Sequence, residues 1–110
     1  MIRSREAILE ARRRIRARYG ELFDSVVALL FRHDPIGVNF GDNINPDEYE
    51  PEAETILPRL NRCSSSNDVL EAVHQEFVRW FGEDTAGTQE RYVQVAAEIW
   101  QLWQKRTQDC

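Results

Sequence analysis

Histidine and cysteine are scarce in this 110-residue chain, with two of each. Cys63 and Cys110 have no C-x-x-C spacing, and the residues are too few and too scattered for a zinc site. Free thiols in a reducing cytoplasm are the expectation. The sequence has no run of roughly 18 apolar residues, the length a membrane span needs. The opening stretch MIRSREAILEARRR lacks the continuous apolar core of a secretory signal. It is Arg-rich like a mitochondrial transit peptide, but Glu6 and Glu10 argue against that reading. There is no G-x-S-x-G, no phosphate loop and no glycine-rich dinucleotide turn, so serine hydrolysis and nucleotide cofactors have no foothold. No cofactor is expected.

What is present is an ordinary globular composition: 42% apolar residues and three tryptophans. The length fits one domain, which buries roughly two-thirds of its unfolded surface. The net charge of −5 conceals an asymmetry. Residues 1–18 carry seven Arg against two Glu, whereas residues 19–110 carry seven Lys and Arg against seventeen Asp and Glu. The body is a poor match for nucleic acid, while the leading arm is not.

Helical periodicity dominates. Ile8, Ile15, Leu22 and Leu29 recur every seven residues, with Tyr19, Phe23, Val26, Val27 and Leu30 widening the stripe. This predicts one long helix over 4–32, or two joined near Gly20. It stops by His33, because Pro35 pushes the preceding residue out of helical angles. Asp34-Pro35-Ile36-Gly37 reads as a type I turn. A second helix starts at Pro51, buries Tyr49, Ala53, Ile56, Leu57 and Leu60, and is kinked or ended near Leu57 by Pro58. Ser65 or Ser66 caps a third helix over 66–81, stopped by Gly82, with Val69, Leu70, Val73, Phe77, Trp80 and Phe81 facing the core. A fourth helix over 88–106 carries Tyr92, Val95, Ala96, Ile99, Trp100, Leu102 and Trp103. The expected fold is all-α: a four-helix bundle-like domain with a long first helix and an irregular 33–50 loop. An Arg-rich arm over 3–18 precedes a helical core over 19–106 within a single domain spanning 1–110.

Several constellations carry chemistry on paper. Glu71 and His74 have the Glu-x-x-His spacing of carboxylate-bridged metal bundles, but His33 has no glutamate three residues before it to make the second pair. A metal-carboxylate enzyme is therefore a minor reading, and no catalytic or metal residue is assigned. A calcium loop starting at Asn43 would end correctly on Glu54, but it has Glu48 where a sharp turn demands Gly. Cys63 lies beside a helix N-terminus, which could lower its pKa, but without a placed histidine an inert or merely oxidisable thiol is the expectation. The basic arm Arg12, Arg13, Arg14, Arg16 and Arg18 covers more than half a helix circumference and would contact a phosphate backbone, although no aromatic residue interleaves before Tyr19. It could equally pair with the chain's own acidic segment. The segment Asp42–Glu54 has six carboxylates and no base. If it is helical from Asp47, then Asp47, Glu50 and Glu54 share an outward face that would steer a basic partner.

The succession DPIGV, EYEPE, ILPRL, VRWFG and EIW resembles small bacterial all-helical proteins of unknown function. In these, a D-P-[IL]-G turn precedes an acidic E-Y-x-P-E helix entry. The resemblance covers about 22–103 and rests on Asp34, Pro35, Gly37, Glu48, Tyr49, Pro51 and Glu52. It implies an all-α fold and no established activity. Small acidic helical proteins of this kind include immunity proteins that neutralise a toxin. The expectation is a cytoplasmic, non-enzymatic module that binds a basic protein, as an inhibitor or immunity protein would, through Phe40, Asp42, Asp47, Glu48, Tyr49, Glu50 and Glu54. Association of copies through the first helix and nucleic-acid binding by the Arg arm are the other partner expectations.

Overall fold

A computed structural model describes the backbone of residues 5–35 and 49–108, and the side chains within them except those of residues 5–9, 11, 12, 107 and 108. The described residues form an all-α domain: α1 (Arg5–Tyr19), α2 (Glu21–His33), α3 (Glu50–Ile56), α4 (Ser66–Phe81), the short α5 (Glu83–Ala86) and α6 (Val93–Gln108). Two 3-10 segments, Leu57–Arg62 and Gln89–Tyr92, complete it. Among the described residues there is no strand, and no helix is long and apolar enough to cross a membrane.

Four helices surround one core. α2 packs on α6 and α3, and α4 packs on the same two, so the order around the bundle is α2, α6, α4, α3. The α2–α6 seam and the α3–α4 seam therefore lie on opposite sides. α2 and α6 run antiparallel: Arg32 and His33 meet Glu98 at one end, and Arg106 donates to the Arg18 carbonyl at the other. α3 and α4 are antiparallel as well, since Thr55 meets Trp80 while Arg59 of the following 3-10 segment meets Glu76. Phe23, Leu30, Tyr49, Ile56, Leu57, Leu60, Val73, Phe77, Tyr92 and Ile99 are fully buried.

Of the two readings of the 4–32 stretch, the structure takes the second: two helices joined at Gly20. Gly20 sits at φ 55°, ψ −128°, where a Cβ is strained, and the chain restarts when the Phe23 N–H donates to the Gly20 carbonyl. α2 then ends where expected, at His33, on an αL cap: Asp34 at φ 47° donates its N–H to the Leu30 carbonyl at 2.8 Å. A residue before proline ordinarily prefers extended angles. Here the cap bond and a side-chain bond described below hold it elsewhere. The rest of the expected type I turn lies outside the described residues.

The expected stripe of the second helix is buried in full, from Tyr49 through Leu60, and Pro58 falls where the α-helix has already tightened to 3-10. α4 begins and ends as expected, with the Ser65 hydroxyl accepting the Asp68 N–H. The stretch before the fourth helix is not a bare link. α5 and a 3-10 turn fill it, and Arg91 ties it down by donating one Nη1 to the carbonyls of Thr85, Ala86 and Pro35. A Cβ on Gly87 would lie 2.7 Å from that guanidinium, at a φ of 80°.

Gly20→Ala is expected to destabilise the fold by about 1–3 kcal/mol, although a Cβ there meets open space, because the penalty is conformational. The shift of the urea midpoint at constant slope measures it.

Candidate functional site

The acidic entry to α3 was expected to point outward, and the described part of it points in. Tyr49 is fully buried, with its ring 6.0 Å from Phe77 and its hydroxyl donating to Asp34 Oδ1 at 2.7 Å. It is a core residue, not an exposed contact. Glu50 and Glu52 are only 7% and 3% exposed. The cause is geometric: with Tyr49, Ala53 and Ile56 fixed on the core line, Glu50 falls beside that line, on the flank that α1 covers. There the Arg16 guanidinium stands 3.5 Å from Glu50 Oε1 and 3.8 Å from Asp24, and 5.1 Å from the centre of the Phe23 ring. Of the expected surface, Glu54 remains half-buried on the outer side of α3. Phe40, Asp42, Asp47 and Glu48 lie outside the described residues, as do Asn43 and Asn45 of the calcium-loop reading.

The basic arm is correspondingly divided. Arg16 is spent on the chain's own acids, which is the intramolecular pairing the sequence allowed. Arg14 pairs with Glu10 one turn earlier at 3.0 Å, and both are largely exposed, so that pair contributes little. Arg18 lies 5.6 Å from the Tyr19 ring, and Arg13 is exposed. The side chain of Arg12 lies outside the described residues. Ile15 is partly buried against the core, which removes it from an exposed first-helix seam.

The other constellations resolve into structure. His74 Nε2 bonds the Gly87 carbonyl at 2.8 Å and its ring lies 5.7 Å from Tyr92, while Glu71 is exposed. Among the described residues no group of three or more His, Cys, Asp or Glu is placed to hold a metal. The Cys63 thiol donates to the Arg59 carbonyl at 3.4 Å, and burial pushes its pKa up, with the Asp68 carboxylate adding to that and Arg59 opposing it. Any lowering by the helix N-terminus is outweighed by burial first and by the Asp68 carboxylate second, in keeping with the inert thiol expected. Asp68 accepts from the Ser64 N–H at 2.8 Å and the Ser64 hydroxyl at 3.0 Å. Those bonds, the backbone one foremost, hold its carboxyl below the ordinary 3.8.

Sequence reasoning missed two features. Trp80 was expected in the core, and it is 47% exposed. Its helical phase matches the buried stripe, but it stands in the last turn of α4, just before Gly82 ends the helix. The indole lies instead over the edge of α3, donating its N–H to Thr55 Oγ1 at 3.1 Å. The second is a buried carboxylate, Glu76, which accepts from Arg59 at 3.0 Å with Arg79 at 3.5 Å. Its place among apolar residues of α4 was the available signal.

No protein-family model, curated protein or solved structure matches this chain.

The Asp68 carboxylate is ionised well below pH 7, so it adds stability above its unfolded value, and that stability is lost as pH falls through its lower folded value. Asp68→Ala is therefore expected to be less stable than wild type at pH 6, with the gap closing as pH drops below the ordinary 3.8. Urea midpoints of both proteins across that range measure it, and a gap independent of pH would refute the ionic cap.

Proposed function

We propose that this chain is a non-enzymatic interaction module that binds a basic protein through the α3–α4 edge, in the manner of an inhibitor or immunity protein of the cytoplasm. The observation that carries this reading is Trp80: a large indole, half exposed, yet held in place by a hydrogen bond to the neighbouring helix. Rigid, partly exposed tryptophans are the side chains that most often dominate binding energy at interfaces, because they bury much area and lose little conformational freedom. The surroundings favour a basic partner. Glu54 is adjacent in sequence to Thr55, and the exposed Glu83 and Asp84 directly follow the end of α4.

The acidic residues Asp42, Asp47 and Glu48 belong to the same proposal. The 36–48 segment leaves Pro35 and rejoins at Tyr49, two points fixed by Arg91 and by Asp34. The D-P-I-G and E-Y-x-P-E motifs bracket it, and on them we place the chain with the small bacterial helical proteins it resembles. Nucleic-acid binding by the arm has less support, since Arg16 is engaged within the fold and Arg14 with Glu10.

The test is capture by the full chain from a native lysate, with the bound protein identified and its affinity measured. The expected partner is basic. Trp80→Ala is expected to weaken it by about tenfold or more, and Glu54→Lys with Glu83→Lys to slow its association at low salt. Because Trp80 is about half buried, its removal is expected to cost about 2–3 kcal/mol of folding stability, so the helicity of the variant is measured alongside its affinity. An affinity indifferent to both variants would refute the proposal.

A further inference from the structure

Trp80 presents an aromatic surface of a particular kind. Its one hydrogen-bonding group, the indole N–H, is spent on Thr55 Oγ1 at 3.1 Å, and the Thr55 hydroxyl in turn donates to the Glu52 carbonyl at 3.1 Å. Whatever meets the exposed 47% of this residue therefore finds ring carbon and π-electrons, with no side-chain donor left to bond. Such a surface takes an apolar side chain or a cation.

Elsewhere in the fold the chain's own arginines serve its aromatics. Arg16 stands 5.1 Å from the centre of the Phe23 ring, Arg18 and Arg106 stand 5.6 and 5.3 Å from that of Tyr19, and Arg106 stands 5.6 Å from that of Trp103. Among the described residues no cation stands over Trp80, although two arginines are near it in the fold. The reason is Glu76, one turn before Trp80 on α4. This buried carboxylate draws Arg59 to 3.0 Å and Arg79 to 3.5 Å, and Arg59 is fixed further by the Ala72 carbonyl and Gln75 Oε1. The charge about the indole is negative on balance. Arg59 and Arg79 share Glu76, while Glu54 next to Thr55 and the exposed Glu83 and Asp84 just beyond Trp80 add further carboxylates. Three residues of chain span at most about 11 Å, so Glu83 lies within roughly a Debye length of Trp80.

We infer that the Trp80 edge recognises an arginine side chain of its partner, with the guanidinium stacked on the indole and its N–H groups left for the neighbouring carboxylates. This rests on the reading of Trp80 as the centre of the binding edge, and narrows it to one residue type. Arginine fits better than lysine, because a planar guanidinium lies flat on a ring and keeps its in-plane donors for carboxylates, whereas an ammonium is a compact, strongly hydrated charge.

The test uses the full, isotope-labelled chain and short capped glycine peptides with one central Arg, Lys, citrulline or norleucine. The readout is the Trp80 indole N–H resonance, identified as the one missing from Trp80→Phe. At low salt the Arg peptide is expected to shift it saturably and to bind about threefold or more tightly than the Lys peptide. The citrulline peptide, neutral and nearly the same shape, is expected to leave it unshifted. Glu83→Gln with Asp84→Asn is expected to weaken the Arg peptide about twofold at low salt and to have no effect at high salt. Equal binding of the Lys, citrulline or norleucine peptide, or no shift with any of them, would overturn the inference. Equal binding of norleucine would do so while leaving Trp80 an apolar anchor of the binding edge. A captured partner indifferent to Trp80→Ala would instead remove the edge itself, and the arginine site with it.

Discussion

The hydrogen bond from the Tyr49 hydroxyl to Asp34 joins the end of α2 to the start of α3. Everything around it depends on that join. Asp34 is the left-handed cap that ends α2, Tyr49 is the residue from which α3 begins, and the Tyr49 ring packs on Phe77 of α4. Arg91 adds the approach to α6 by bonding the Pro35 carbonyl. Three helices and the entry to a fourth are thus referred to one point. A buried tyrosine without a partner for its hydroxyl would be destabilising. With Asp34 as acceptor, the same ring is free to serve as a core residue.

That join also decides where charge can be displayed. Once Tyr49, Ala53 and Ile56 face the core, Glu50 and Glu52 are carried inward, and Arg16 must stand over Glu50. Glu54, half-buried on α3, is the acid of that helix that geometry leaves behind, and Trp80 lies over the edge of the same helix. On the far side, the α2–α6 seam carries charges of both signs, with Glu21 and Glu98 beside Arg32, Lys105 and Arg106. The charge asymmetry evident along the sequence therefore does not survive as one basic arm and one acidic body. It is partly neutralised where Arg16 of α1 meets Glu50 of α3.

Most of the fold was legible because it rests on periodicity and punctuation. The α4 boundaries follow from the Ser65 cap and Gly82, the α2 end from Pro35, and the tightening after Ile56 from Pro58. What periodicity could not supply was the break at Gly20, where one glycine decides between a single helix and two. Nor could it supply α5, too short to show a repeat. The site was less legible for a definite reason. Sequence assigns a glutamate to the surface by its polarity, whereas burial of Glu50 and Glu76 depends on Arg16 and Arg59, which come from distant parts of the chain. Trp80 failed in the opposite direction, because helical phase does not say whether another element covers the last turn of a helix.

The join between Asp34 and Tyr49 is tested most directly by a double-mutant cycle with Asp34→Ala and Tyr49→Phe, read as unfolding free energies in urea. The backbone penalty of placing alanine at a left-handed cap is common to both arms and cancels. A coupling of at least about 1 kcal/mol is expected for a hydrogen bond to a carboxylate in this setting. Effects that simply add, to within about 0.3 kcal/mol, would mean that the two ends are held by something else.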